Sequence, residues 1–112
     1  MSLDVRTVGD VTILTPKGML LGGKETDELQ AKVKELSEAG NRKLLINLGQ
    51  TTFMNSVSLG VLISGQINYA KRDAKMKLCA VDRKIQNIFV VTKLNLVFEV
   101  YDTEEEALAS FK

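Results

Sequence analysis

The sequence predicts a single α/β domain built on a mixed, mainly parallel sheet of about 4–5 strands packed with about four helices. Three observations carry this. Strand-like and helix-like segments alternate across short connections. The inner strand candidates are apolar at nearly every position, as strands covered on both faces are. A chain of 112 residues is long enough to bury one core and too short for two, which sets the expected domain at residues 1–112.

The chain opens on the alternating stretch Asp4-Val5-Arg6-Thr7-Val8, followed by the β-rich run Val11-Thr12-Ile13-Leu14-Thr15. No helix separates the two, so they are expected to form an antiparallel hairpin at the sheet edge. Pro16 stops the second run, and Gly18 through Gly23 read as a glycine-marked turn. From Lys24 to Ala39 the period becomes helical: Leu29, Val33 and Leu36 share a face, Glu28, Lys32, Lys34, Glu35 and Glu38 line the other, and Gly40 is placed to end the helix.

Lys43 to Leu48 reads as a buried strand, Gly49 to Met54 as a loop, and a second helix is expected from Asn55 or Ser56 to about Arg72. Met76 to Val81 is the next buried strand. Asp82 caps a short helix with Ile85, Ile88 and Phe89 on one face, and Val97 to Tyr101 is the last strand. Thr103 and Glu106 have capping-box spacing, and Glu104 and Glu105 suit the positive end of that helix, which would bury Ala107, Leu108 and Phe111.

Composition narrows the function classes. With 15 basic and 14 acidic residues the net charge is +1, which offers no basic excess for nucleic acid or anionic lipid. No apolar run approaches the ~18 residues of a membrane span, and no signal peptide is visible. The lone Cys79 rules out an internal disulfide and suits a reducing, cytoplasmic setting. The absence of histidine removes the commonest general base and metal ligand together, so neither a metal, a cofactor nor an enzymatic role is expected.

One segment departs from these averages. Leu44 to Ala70 contains no charged residue, whereas the chain's own 26% would place about seven in that length. Asn47, Gln50, Thr51, Thr52, Asn55, Ser56, Ser58 and Ser64 keep it from being membrane-like. Close packing of a helix on a sheet explains the helix body, since Ser58, Gly60, Ser64 and Gly65 are small. It explains the loop and first turn less well. The carboxyl end of a strand leading into a helix is where open α/β sheets place ligands and contacts. There Thr51, Thr52, Asn55, Ser56 and Ser58 gather hydroxyls and an amide, with Gly22 and Gly23 beside them as turn residues; ordinary helix capping by Asn or Ser is the plainer role for some of them.

The run Phe53-Met54-Asn55-Ser56-Val57-Ser58-Leu59-Gly60-Val61-Leu62 resembles the signature of STAS domains, the bacterial anti-sigma factor antagonist family, whose usual form is aromatic-Met-Asp-Ser-Ser/Ala-Gly-Leu-Gly. KLLINLGQTTFMNS, KMKLCAV and NLVFEVYDTEEEAL fall where that family has its strand, loop and C-terminal third. The resemblance implies a STAS-like fold and a non-enzymatic regulatory protein. Its partner would be an anti-sigma factor that is also a serine kinase; the unphosphorylated antagonist binds it and frees the sigma factor. Carried over, the phosphorylated serine is Ser56. This chain departs from the pattern in having Asn55 for Asp, Val57 for a small residue, Ser58 for glycine, and Asn47 where Asp is common. The alternative is a phosphorylation-independent STAS interaction module in a sensory or transport-linked assembly.

Other motifs are weaker. Gly18-Met19-Leu20-Leu21-Gly22-Gly23-Lys24 matches the first seven positions of a phosphate-binding loop, but Glu25 stands where a magnesium-binding Ser or Thr belongs. Cys79 sits in a buried strand as a small hydrophobe. Met19 and Leu20 are apolar in a turn-like stretch, and the sequence leaves open whether they are core or contact.

Overall fold

The structure, a computed structural model, describes residues 3–112; Met1 and Ser2, the first residues of the expected domain, lie outside the described residues. In chain order its elements are β1 (Leu3–Val8), β2 (Val11–Pro16), β3 (Gly18–Leu20), α1 (Lys24–Glu38), β4 (Lys43–Asn47), β5 (Thr51–Met54), α2 (Ser56–Lys71), β6 (Lys75–Cys79), α3 (Arg83–Val91), a 3₁₀ turn (Leu94–Leu96), β7 (Val100–Tyr101) and α4 (Glu104–Ser110). The main sheet has five strands in the order β1-β2-β4-β6-β7; β3 and β5 form a separate pair. Among the described residues only β1 and β2 run antiparallel, and every other pairing is parallel. This is the α/β architecture the alternating pattern predicts, with the hairpin at the edge.

Burial explains the unbroken apolar run of β4. Leu44 and Ile46 face a core shared with Leu29 and Val33 of α1, Leu59, Leu62 and Tyr69 of α2, and Ile85 and Phe89 of α3. Leu45 faces the opposite side, with Val11, Ile13, Cys79 and the α4 residues Ala107 and Phe111. Both faces of the sheet are therefore dry, and a strand between them has no position for a polar side chain. Lys77 of β6 is nevertheless buried, at 6% exposure. Its ammonium donates to Ser110 O (3.1 Å) and Ser110 Oγ (2.9 Å) and lies 4.5 Å from the centre of the Phe111 ring.

Helix ends follow the sequence closely. Gly40, at φ +89°, closes α1: its N–H donates to Ser37 O and the next N–H, of Asn41, to Leu36 O, the paired bonds of a Schellman motif. Asp82 Oδ1 accepts from the Ile85 N–H to start α3. Thr103 Oγ1 accepts from the Glu106 N–H, while the Glu106 carboxylate takes the Thr103 hydroxyl rather than completing the box at the backbone. Of the residues expected under α4, Ala107 and Phe111 are buried and Leu108 is half-buried.

Three expectations need correction. The turn expected from Gly18 to Gly23 begins as a strand, and the loop expected from Gly49 to Met54 ends as one, because β3 and β5 pair with each other in parallel. Each is too short for its pattern to show, and the pairing spans more than thirty residues of chain. The last strand is shorter than expected, Val100–Tyr101 instead of Val97–Tyr101. Upstream, the chain is turned by the 3₁₀ segment so that Phe98 stacks on Phe89, with ring centres 5.7 Å apart.

Candidate functional site

The start of α2 is set by Asn55. Its backbone is extended, and its Oδ1 accepts from the N–H groups of Val57 (3.1 Å) and Ser58 (3.2 Å). In return, Ser58 Oγ accepts from the Asn55 N–H at 3.0 Å. This is a reciprocal capping box in which serine takes the place usually filled by Glu or Gln. Asn55 also donates from Nδ2 to Leu21 O at 2.9 Å, tying the β3–α1 turn to the head of α2. Asparagine serves both purposes because its side chain carries an acceptor and a donor.

The turn is fitted to the helix from its own side. Gly22 has φ +92°, and a Cβ built on it would lie 3.1 Å from Val57 Cγ1. Glycine is required there twice over, for the left-handed backbone and for the close approach. Its N–H donates to Thr26 Oγ1 (2.9 Å), and Gly23 follows as the residue preceding α1.

β3 and β5 supply the rest of the surface. Gly18 N–H donates to Gln50 O at 2.9 Å, Met19 lies opposite Phe53, and Leu20 lies opposite Met54. Strand alternation sends one pair each way. Leu20 and Met54 are fully buried, while Met19 is 57% and Phe53 45% exposed. Leu21 and Val57 are exposed as well. Around Ser56, which is the first residue of α2 and exposed, the protein thus presents apolar side chains from two stretches that carry no charge, 18–23 and 44–70, with the exposed Lys17, Lys24 and Glu25 bordering the first. Exposed apolar groups gathered in one place mark contact surfaces more often than isolated ones do.

The candidate residues therefore divide. Thr52, Ser56 and Gly23 are exposed; Asn55 and Gly22 are half-buried at the junction. Thr51 and Ser58 are corrected: neither offers a hydroxyl to a partner. Thr51 is 2% exposed and donates to Pro16 O (3.1 Å), and Ser58 is fully buried with its hydroxyl spent on Asn55. Sequence reasoning missed Phe53, Leu21 and Val57 and left Met19 undecided. The period-2 signal that identifies Met19 and Phe53 is legible only once β3 and β5 are known to be strands.

The remaining motifs resolve structurally. The phosphate-loop-like segment is half strand, with Leu20 in the core. Cys79 is fully buried, and burial, reinforced by the nearby Glu104 and Glu105 carboxylates, pushes its thiol up to about 12. No cluster of three or more potential metal ligands is found among the described residues. Glu104 is instead held by the Arg6 guanidinium and by Asn47 Nδ2 (3.0 Å). An Asp at position 47 would set two carboxylates against each other, so Asn47 fits the glutamate it meets. No helix among the described residues is long and apolar enough to cross a membrane.

The family model of the STAS domain matches residues 2–107. The chain belongs to the STAS domain family. Among its relatives, a protein named as an anti-sigma factor antagonist, BtrV of Bordetella bronchiseptica, is 20% identical over 112 residues, covering 100% of this chain and 96% of its own. A solved structure described as an anti-sigma factor antagonist from Thermotoga maritima superposes with a TM-score of 0.84 at 22% identity, over 96% of this chain and 92% of that one. The Bacillus cell fate determinant SpoIIAA in its phosphorylated form superposes with a TM-score of 0.79 at 17% identity, over 98% and 99%. The same protein is known in its unphosphorylated form, with a TM-score of 0.79. In sequence and in fold this STAS domain is thus similar to anti-sigma factor antagonists.

Proposed function

We propose that this STAS domain is a regulatory binding module of the anti-sigma antagonist type, which docks a serine-kinase anti-sigma factor on the Met19–Leu21–Phe53–Val57 surface and is released when Ser56 is phosphorylated. The observation that carries the reading is the position of Ser56: an exposed hydroxyl on the first residue of a helix, framed by the exposed apolar side chains of Met19, Leu21, Phe53 and Val57. A phosphate there adds about −1.5 to −2 charges. At the positive end of α2 it leaves the fold intact, because the helix dipole favours it. Asn55 already occupies the N–H groups of Val57 and Ser58, so the phosphate would stand out from the surface instead of being drawn into the helix end. Forced into an apolar interface without a partner cation it costs several kcal/mol, and about 3 kcal/mol is already more than 100-fold in affinity. That the similar SpoIIAA exists in phosphorylated and unphosphorylated forms supports the switch.

Incubating the protein with the serine-kinase anti-sigma factor of its own organism and ATP, followed by peptide mass spectrometry, is expected to place one phosphate on Ser56. Ser56→Ala is expected to remain unmodified and to bind, and Ser56→Asp to lose at least about tenfold in affinity. A Ser56→Asp protein that binds as tightly as wild type refutes the switch. Binding that survives in both variants with no phosphate transferred selects the phosphorylation-independent interaction module instead.

A further inference from the structure

The two edges of the main sheet are unlike. β7 is only two residues long, whereas β1 runs for six residues, exposed from Asp4 to Val8 and free of proline. A short edge offers little template for another strand; a long regular one offers a full row of unpaired backbone groups. Among the described residues, nothing pairs with the outer side of β1.

The hairpin geometry determines which groups that outer side presents. Gly9 and Asp10 make a two-residue connection with Gly9 at φ +61°, so Val8 and Val11 exchange the first hydrogen bonds. Antiparallel bonding alternates, so Arg6 bonds inward with Ile13 and Asp4 with Thr15. The N–H and C=O groups of Leu3, Val5 and Thr7 then point outward. Two copies of this edge can meet antiparallel about a two-fold axis, and charge selects the register. An axis through Val5 sets Asp4 of each copy opposite Arg6 of the other and the two Val5 residues opposite each other. An axis one residue either way sets Asp4 against Asp4 or Arg6 against Arg6. Opposite charges across strands stabilise and like charges destabilise.

We propose that β1 is a self-association edge, through which two copies join their sheets antiparallel about Val5, held by Val5–Val5 and Leu3–Thr7 backbone bonds and by two Asp4–Arg6 pairs. Within one chain Arg6 Nε lies 3.8 Å from Asp4 Oδ2, and both side chains are about half exposed, 49% for Asp4 and 43% for Arg6, so both are also within reach of a second chain. Arg6 also holds Glu104, and its guanidinium has donors enough for both carboxylates. The interface lies apart from Ser56, so it stands or falls independently of the proposed switch.

Sedimentation velocity over a concentration series tests it. The wild type is expected to dimerise with a dissociation constant below about 1 mM, weakening as salt screens the pairs. Asp4→Arg and Arg6→Asp, each alone, set like charges opposite and are expected to weaken dimerisation at least about tenfold. Mixed together, these two variants restore both pairs and are expected to form a heterodimer at wild-type strength. Val5→Pro removes an outward N–H that the internal ladder does not use, and is expected to fold, by circular dichroism, and to be monomeric. A wild type monomeric throughout, an Asp4→Arg protein that dimerises undiminished, or a mixture that fails to recover overturns the proposal; should Val5→Pro not fold, the charge variants decide.

Discussion

Replacing Asn55 by alanine removes every bond that its side chain makes at the head of α2 and leaves only the backbone half of the capping box, Ser58 Oγ to the N–H of residue 55. Two N–H groups lose their acceptor, Val57 at 3.1 Å and Ser58 at 3.2 Å, and Leu21 O loses a donor at 2.9 Å. Loss of a side-chain cap costs about 1 kcal/mol. Loss of the tie to Leu21 costs about 1 kcal/mol more. For a domain of this size the sum of about 2 kcal/mol lowers Tm by roughly 6–12 °C. Asn55→Asp separates the two contributions. The carboxylate still caps and gains about 0.3–1 kcal/mol at the helix start, but it cannot donate to Leu21 O and sets negative charge against that carbonyl. Its stability is expected to fall between wild type and alanine. Thermal and urea unfolding followed by circular dichroism measure both. An alanine variant within about 1 °C of wild type, or an aspartate variant as unstable as alanine, refutes the assignment of Asn55 as the residue that builds the site.

Two further tests follow from particular contacts. Gly60 of α2 is exposed, and a methyl group added to it would meet nothing within 4 Å, so Gly60→Ala is expected to stabilise by about 0.5–1 kcal/mol; Gly65→Ala would bring a methyl to 3.1 Å from both Met76 Sδ of β6 and Val33 Cγ1 of α1, in the seam where α2 packs on both, and is expected to lower the urea midpoint instead. Equal midpoints for the two variants would show that the seam is not close-packed. Burial pulls the Glu104 carboxyl upward, but the hydrogen bonds from Asn47 and Arg6 outweigh it and hold it below the usual 4.5. A carboxyl depressed in the folded state contributes stability above its unfolded value, and that contribution disappears as pH falls through the folded value. Glu104→Gln is therefore expected to be less stable than wild type at pH about 7, with the difference shrinking as pH falls below about 4.5; a difference constant with pH would mean that the ion pair contributes nothing.

Much of this architecture is local enough to be read from the chain. The helix of α1 follows from Leu29 and Val33 and ends where Gly40 permits the left-handed turn. The buried strands β4 and β6 follow from runs that leave no position for water on either face. The start of α2 at Ser56 follows from the capping chemistry of Asn55. Such signals lie within a few residues of the structure they specify.

The rest was decided by contacts distant in sequence. Thr51 and Ser58 carry the same hydroxyl chemistry as Thr52 and Ser56, yet the first pair is buried and the second exposed. Residue type does not separate them: Thr51 is buried by the approach of Pro16, far away in sequence, and Ser58 by the local closing of the Asn55 box. Likewise, Met19 and Leu20 are adjacent apolar residues whose fates diverge because β3 meets β5. Composition and period specify which residues must leave water and which backbone must be helical. Which face of a three-residue strand turns outward is set only when a partner strand arrives, because a strand's hydrogen bonds, unlike a helix's, are made to another part of the chain.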